Sequence, residues 1–446
     1  MKGSKKIVAI SLSLMLGVSA CSFAGCGENG GPKDTMPSYE EDRTFLFGGW
    51  DDPPGTKAAY TTAKEMGLDF MFVGQRWAGM GASEYLKTLE IIDEVGMKAI
   101  LQTGSGADNG QSEFDKDTDF SQYPAVMALN YWDEPNLSQM DALDDLADWH
   151  IEKYGDTGVN YYVNLFPYTE RIGGSYEEYL DKYCAIMNKV GEATGQDTWL
   201  SVDIYPLLSS KYGSTISTSW LTNLEEVALA AKEYDADYFH SFILATQHGS
   251  YRDVSETDFR YQIWVNLAFG ANSISYFTYR RSSIESFGES LVDMNGNPVE
   301  PNYSGAQKVN AEIHAIDDVY LSFEWEGMYP VTGAETENLM DGVSPYFYNL
   351  KQPLTSLDKI SSVQAEKDAL IGQFHDAEGR KGYVVTNFAD PYFEEESANK
   401  VELTFTNADT VVVCRGGTQE TYRVSGNKLT LDLEAGEGAF LIPLNI

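Results

Sequence analysis

Eight short apolar segments, each followed by an amphipathic or polar stretch, constrain the fold of this chain more than any other feature. Such alternation of strand-like and helix-like segments is typical of α/β proteins built from βα units around a parallel sheet. Eight units are enough to close the sheet, so we predict a (β/α)8 TIM barrel over residues 44–324. The predicted strands lie at residues 45–50, 69–74, 98–103, 126–132, 159–166, 199–205, 238–245 and 273–279.

Beyond the eighth unit the apolar segments become shorter and are separated by Gly, Asn and Asp turns, which is typical of an antiparallel sandwich. We therefore predict a C-terminal antiparallel β-sandwich domain over residues 325–446. Residues 325–365 look irregular, and no strand is predicted there. The predicted sandwich strands lie at residues 369–374, 382–387, 400–405, 410–414, 420–424, 428–433 and 438–444.

The N-terminus has the features of an export signal. Three lysines precede an apolar run over residues 7–18, which is too short to span a bilayer. Cys21 ends this run as in a bacterial lipobox, and Cys26 is a second candidate for lipidation. We expect residues 1–26 to be a lipoprotein signal peptide and residues 27–43 a flexible tether. The protein would then be lipid-anchored on the outer side of a bacterial membrane, or secreted; the alternative is a plain signal peptide with two incidental cysteines.

The charge of the chain excludes several partners. It has 31 Lys plus Arg against 68 Asp plus Glu, a net charge of −37, and no basic patch, so nucleic acid is not an expected partner. Contact with a membrane is expected only through the lipid anchor. Cys184 and Cys414 lie far apart in a predicted helix and a predicted strand, so neither a disulfide framework nor a zinc site is predicted. A phosphate-binding loop and a nucleophile elbow are also lacking, and we predict no cofactor and no metal.

The fourth predicted strand ends with the sequence Asp133-Glu134-Pro135, which places two acidic residues where barrel enzymes carry their chemistry. Aromatic neighbours would desolvate Glu134 and raise its pKa towards the range of a general acid. Pro135 restricts the path of the chain behind it. The alternative is that Asp133 caps the next helix and Glu134 is simply solvated.

This motif resembles that of glycoside hydrolases in the large (β/α)8 clan that includes the β-galactosidases. Two further segments are similar to that clan: Asp203-Ile204-Tyr205-Pro206 at the end of the sixth strand, and residues 268–279 leading into the eighth. The resemblance extends from residue 45 to the C-terminus. It implies a glycosidase that cleaves an extracellular oligo- or polysaccharide, with Glu134 as general acid/base.

The seventh strand departs from the clan, whose retaining members carry a nucleophilic Glu at its end. Residues 244–249 read Leu-Ala-Thr-Gln-His-Gly and contain no carboxylate. Either Gln247 occupies that position or the second catalytic carboxylate comes from elsewhere, and Asp203 is the best substitute by position. Glu285 and Glu289 are weaker candidates, and the choice between retention and inversion stays open. The alternative function is a non-catalytic carbohydrate-binding surface lipoprotein on a barrel without this nucleophile.

Aromatic and polar residues near the predicted strand ends indicate a sugar-binding surface, because aromatic rings stack on the apolar faces of pyranoses. Arg76 and Arg252 are expected to pair with site carboxylates or to bind an acidic sugar. The predicted substrate-binding residues are Trp50, Arg76, Trp77, Trp132, Asp133, Tyr205, Gln247 and Tyr279.

Overall fold

The computed structural model describes residues 34–39, 44–74, 80–103, 113–212, 215–284 and 286–446. Eight parallel strands pair in sequence order, and β8 pairs with β1 to close the barrel. The predicted (β/α)8 barrel is therefore confirmed. Its strands are β1 Leu46–Gly49, β2 Phe70–Val73, β3 Lys98–Gln102, β4 Val126–Asp133, β5 Asn160–Leu165, β6 Trp199–Asp203, β7 Tyr238–Leu244 and β8 Ser273–Phe277.

Helices follow the barrel strands and cover the outside of the sheet. Side chains at their N-termini satisfy free backbone N–H groups: Thr56 caps α1, Ser175 caps α5, and Ser255 forms a capping box with Asp258 at α7. No helix among the described residues is long and apolar enough to cross a membrane. The helices are α1 Lys57–Glu65, α2 Ala82–Val95, α3 Glu113–Asp117, α4 Met140–Tyr154, α5 Tyr176–Thr194, α6 Trp220–Glu233, α7 Glu256–Ala268, α8 Asn302–His314 and α9 Asp317–Tyr320.

The barrel is filled rather than hollow, as is typical of this fold. Its interior cluster is mostly aromatic, and the other faces of the strands pack with the helices in a much larger cluster. Large rings therefore occupy the centre of the barrel. The interior side chains are Phe70, Phe72, Ile100, Ala128, Tyr162, Trp199 and Phe242.

Two antiparallel sheets follow the barrel, as predicted, with strand orders β15-β14-β17-β12-β11-β9 and β10-β13-β16. The predicted domain boundary after residue 324 falls inside β9, and the stretch predicted to be irregular contains β9 and β10. Both are edge strands of their sheets. The nine strands are β9 Phe323–Val331, β10 Ile360–Ala365, β11 Ala369–Asp376, β12 Lys381–Asn387, β13 Asn399–Phe405, β14 Thr410–Arg415, β15 Thr418–Arg423, β16 Lys428–Leu433 and β17 Gly438–Leu444.

Helix α7 joins the barrel to the six-stranded sheet and is buried along almost its whole length. The Trp325 indole N–H donates to the carbonyl oxygen of Ala268 at 3.0 Å. At Gly372 of β11 a Cβ atom would lie 2.4 Å from the same oxygen, so only glycine permits this approach. Because α7 packs on both sides, one continuous apolar cluster spans the two domains.

A buried ion pair reinforces this junction. The Arg252 guanidinium, 4% exposed, binds Asp258 of α7 at 2.5 Å and Asp390, which follows β12, at 2.9 Å. Arg252 was predicted to serve the site carboxylates or an acidic sugar. It instead links the barrel to the sandwich, because both of its carboxylate partners lie at the domain junction.

We expect Arg252→Ala to destabilise the protein by roughly 3–5 kcal/mol, because it leaves two acidic groups buried without their cation. Arg281→Ala, which breaks an exposed pair with Glu289 at 2.9 Å, is the matched control and should change stability by about 0.5 kcal/mol or less. Thermal unfolding of both variants measures the difference. Equal effects would contradict a structural role for Arg252.

Candidate active site

A cavity of about 150 Å³ opens at the carboxyl ends of the barrel strands. Its polar residues come from β4, β5 and β6 or directly follow them. Its aromatic rings come from β7, β8 and the end of β1, which are neighbours in the closed barrel, and from Tyr205, which follows β6. The walls therefore divide into a polar arc and an aromatic arc, and the lining residues are Trp50, Asp133, Glu134, Asn164, Asp203, Tyr205, Phe242 and Phe277.

Glu134 is held in an unusual backbone conformation at the end of β4. Its φ is +56°, in the left-handed region, which costs a residue with a Cβ about 1–3 kcal/mol. Its N–H donates to the Asn164 carbonyl at 2.8 Å, and the Pro135 carbonyl accepts from the Tyr179 hydroxyl at 2.7 Å. Asn136 caps the helical turn that follows. The alternative in which Asp133 is the cap is therefore wrong.

Three carboxyl groups meet in the polar arc. A hydrogen bond joins the side chains of Glu134 and Asp203. The Asn164 side-chain amide donates to Asp133 at 3.1 Å and to Asp203 at 3.4 Å. One amide on β5 thus fixes acidic groups from the two adjacent strands.

All three of these carboxyl groups have raised pKa values. Burial, and next the charge of Asp133, raise the pKa of Glu134 to about 7. Burial and the neighbouring charges of Glu134 and Asp133 raise the pKa of Asp203 well above its ordinary value. Desolvation by the surrounding protein also raises the pKa of Asp133, although the residue is exposed at the pocket mouth and the Asn164 hydrogen bond opposes the shift. The hydrogen-bonded pair therefore retains a proton near neutral pH.

A buried hydrogen-bond network inside the barrel connects to the carboxyls through Asn164. The Ser201 hydroxyl donates to the Asn164 side-chain oxygen at 3.0 Å and lies 3.0 Å from His240 Nδ1. The Tyr162 hydroxyl lies 2.8 Å from the same nitrogen, and His240 Nε2 lies 2.9 Å from Ser275 Oγ. Burial lowers the pKa of His240 to about 3, so the ring is neutral and adds no charge to the site.

The aromatic arc consists of rings that contact one another. Trp50 packs against Phe72 and Phe242, with ring centroids 4.9 and 5.5 Å apart. Tyr205 lies 5.3 Å from Phe277. Phe242 and Phe277 were not predicted as site residues, because an apolar ring inside an apolar strand gives no functional signal. Asn164 was not predicted either. A single polar residue inside a buried strand was the only sign of its role in the sequence.

Trp132 and Tyr279, predicted to bind substrate, do not line the cavity. They are 2% and 0% exposed and belong to the cluster between barrel and helices, so neither ring is accessible to a sugar in this structure. Gln247 lies outside the lining as well, beside the Gly288 backbone. Glu289 pairs with Arg281 at the surface.

Several predicted residues lie outside the described part of the chain: Cys21, Arg76, Trp77 and Glu285. Across the described segments, no group of three or more His, Cys, Asp and Glu side chains could hold a metal ion.

No model of a protein family matches the sequence, and no curated protein matches it. Solved structures of glycoside hydrolases are similar to the chain at low identity. A GH42 β-galactosidase from Geobacillus stearothermophilus is 12% identical, with 92% of this chain and 99% of the other covered and a TM-score of 0.46. A GH27 β-L-arabinopyranosidase from the same species is 8% identical, with coverages of 91% and 97% and a TM-score of 0.46. A GH30 endoxylanase from Clostridium papyrosolvens is 11% identical, with coverages of 91% and 98% and a TM-score of 0.41.

We expect Glu134→Gln to stabilise the folded protein at about pH 8 and to leave its stability nearly unchanged at about pH 4.5. The pKa of Glu134 is raised in the folded state from 4.5 to about 7. The folded state therefore binds this proton more tightly than the unfolded state, and stability falls as pH rises through that interval. Removing the charge should raise the unfolding midpoint at high pH by about 1 °C for each kcal/mol recovered, because the entropy of unfolding scales with the length of the folded chain.

The control for this experiment is Glu152→Gln, at an exposed position on α4. It should have little effect at either pH. A gain for Glu134→Gln that is equal at both pH values would contradict the raised pKa.

Proposed function

We propose that this protein is a glycoside hydrolase in which Glu134 is the general acid/base. One observation carries this proposal: a carboxyl with a raised pKa is held rigidly in a pocket at the carboxyl end of the barrel, facing an aromatic wall. A proton donor beside ring faces suits a substrate that combines apolar C–H surface with a weakly basic bridging oxygen. Glycosides have both features.

In the proposed mechanism Glu134 donates its proton to the glycosidic oxygen as the bond to the anomeric carbon breaks. It then takes a proton from the water that attacks this carbon. Asp133 helps because its charge keeps the proton on Glu134 until the substrate arrives. Asn164 and the network below it hold the carboxyls in place, so little reorganisation is needed during the reaction.

Asp203 was predicted to be the second catalytic carboxylate, and its contact with Glu134 favours a different role. Paired carboxyls lie about 5–5.5 Å apart in retaining glycosidases and about 6.5–9.5 Å apart in inverting ones. Carboxyls that are directly hydrogen-bonded to each other leave no space between them for an anomeric carbon or a water molecule. We therefore propose that Asp203 orients Glu134 and shares its proton, rather than attacking the sugar or activating water.

The rival function is carbohydrate binding without catalysis. One observation favours this binding function: β7 contributes the Phe242 ring to the pocket and no carboxylate. In this alternative Glu134 only accepts hydrogen bonds from sugar hydroxyls. The two functions differ in whether turnover depends on the Glu134 proton.

Two broader predictions from the sequence belong to the same proposal. We propose that the chain belongs with the β-galactosidase-type clan and acts outside a bacterial cell on an oligo- or polysaccharide. Attachment through Cys21 is a prediction from the sequence alone, as residues 1–33 lie outside the described part of the chain.

We expect Glu134→Gln to lower kcat/KM for glycosides with poor leaving groups by roughly 10²–10⁴-fold, because the leaving oxygen loses its proton donor. The loss should be much smaller for 2,4-dinitrophenyl glycosides, whose leaving group departs without protonation. Sugar binding, measured by calorimetry, should persist because Gln keeps the shape. Glu152→Gln is the matched control and should act like wild type.

Sugar binding without turnover of any glycoside by the wild-type protein would contradict hydrolysis and favour the binding function. An equal loss for all leaving groups would contradict the acid role of Glu134.

We expect the descending limb of the kcat/KM pH profile to move to lower pH in Asp133→Asn. The Asp133 charge raises the pKa of Glu134, so its removal lets Glu134 lose its proton earlier. The control is Asp145→Asn at an exposed position on α4. A limb that stays in place or moves to higher pH would contradict the charge coupling between Asp133 and Glu134.

A further inference from the structure

We propose that the substrate is a 1,2-trans-linked 2-acetamido-2-deoxyhexopyranoside, whose own acetamido oxygen replaces an enzyme nucleophile. This inference rests on the proposed function and specifies its substrate class. It follows from the division of the pocket walls, in which the described carboxyls all belong to the arc of β4 and β6 while the arc of β7, β8 and β1 is aromatic.

Among the described residues, the walls formed by β7, β8 and the end of β1 contribute no carboxylate to the cavity. Phe242 is the residue that β7 directs into the cavity. Farther along, the Thr246 hydroxyl is fully buried and bonded to the hydroxyls of Thr278 at 3.0 Å and Ser290 at 2.7 Å. Asp203 is bonded to Glu134 on the polar arc. Asp133 lies on the same arc as the acid, whereas a nucleophile has to reach the face of the sugar opposite the leaving oxygen, so we infer that the nucleophilic help comes from the substrate.

An acetamido group at C2 matches both arcs. Its methyl group is apolar and would contact the rings of Trp50, Phe242 and Phe277. Its N–H needs an acceptor, and Asp133, held by Asn164 at 3.1 Å, is the site carboxyl that is not bonded to Glu134. Accepting this N–H raises the electron density of the amide oxygen and fixes its direction.

The size of the cavity agrees with this assignment. Its volume of about 150 Å³ is small beside the ~300–1,000 Å³ of typical ligand pockets, which suits a substituent better than a chain of sugars.

The reaction balances without a further reagent. The amide oxygen bonds to the anomeric carbon as the bond to the leaving oxygen breaks, and that oxygen takes the Glu134 proton. The positive charge of the resulting oxazolinium ring is stabilised by Asp133. Water then adds to the anomeric carbon, its proton passes to Glu134, and the ring reopens to the amide. The 1,2-trans linkage is required because the amide oxygen must approach the face opposite the leaving group.

The first test uses the wild-type protein with 4-nitrophenyl β-glycosides of N-acetylglucosamine and N-acetylgalactosamine, beside those of glucose and galactose. We expect kcat/KM for the acetamido sugars to be higher by roughly two orders of magnitude, because the nucleophile is already in place. Replacing the N-acetyl group by N-trifluoroacetyl keeps the size similar but weakens the carbonyl oxygen as a nucleophile. It should lower kcat by roughly tenfold or more.

The second test is Asp133→Asn, with Asp145→Asn as control. The Asn side-chain oxygen can still accept the N–H, but it is a weaker acceptor and carries no charge to stabilise the oxazolinium ring. The variant should therefore lower kcat on the acetamido substrates severalfold more than kcat on any 2-hydroxy glycoside that is turned over. Circular dichroism and the unfolding midpoint establish that the variant is folded, and the fluorinated series tests the proposal without any variant.

Glu134-dependent hydrolysis of 2-hydroxy glycosides with no preference for acetamido sugars would overturn this inference and leave the proposed function standing. Hydrolysis of acetamido sugars that is insensitive to fluorination would also overturn it. Absence of turnover on every glycoside of the panel would overturn both.

Discussion

Closure of the eight-stranded sheet is the constraint on which the rest of the structure depends. Pairing of β8 with β1 brings the end of the first strand beside the last, so that Trp50 stands with Phe242 and Phe277 on one wall. The same closure places β4, β5 and β6 across the mouth from them. A chain with these residues in an open sheet would not bring its acidic and aromatic groups around one cavity.

Inside the closed barrel, hydrogen bonds from Asn164 position the acidic groups. Three neighbouring carboxyls repel one another when ionised, and such a cluster persists only if donors or shared protons offset the repulsion. The Asn164 amide donates to two of the carboxyls, and Ser201 holds its oxygen. Since the His240 ring beneath is neutral, the site stays electronegative and keeps the proton that an acid catalyst requires. The left-handed backbone of Glu134 adds to the cost of this arrangement and is offset by bonds to β5 and α5.

The sequence predicts most of the barrel because buried parallel strands form uninterrupted apolar runs, and the eight predicted segments coincide with β1–β8. It did not predict β9 and β10, since edge strands carry polar residues and lack such runs.

The position of Glu134 could be predicted from its motif. The placement of Trp132 could not, because the pairing of β4 with β5 shifts between Asn130 and Asp133. This irregularity turns Asp133 towards Asn164 and Trp132 away from the cavity, which side-chain alternation does not anticipate. Asn164 was missed because a single polar residue in a strand has no local pattern.

In the proposed reaction a hydrogen-bonded pair of carboxyls supplies the proton, and the substrate supplies the nucleophile. The configuration of the sugar first released from a β-linked acetamido glycoside, followed by ¹H NMR before mutarotation, tests it most directly. We expect the β-anomer, because two successive displacements at the anomeric carbon retain its configuration. Initial release of the α-anomer would contradict the account, since inversion needs a base about 6.5–9.5 Å from the acid with water between them.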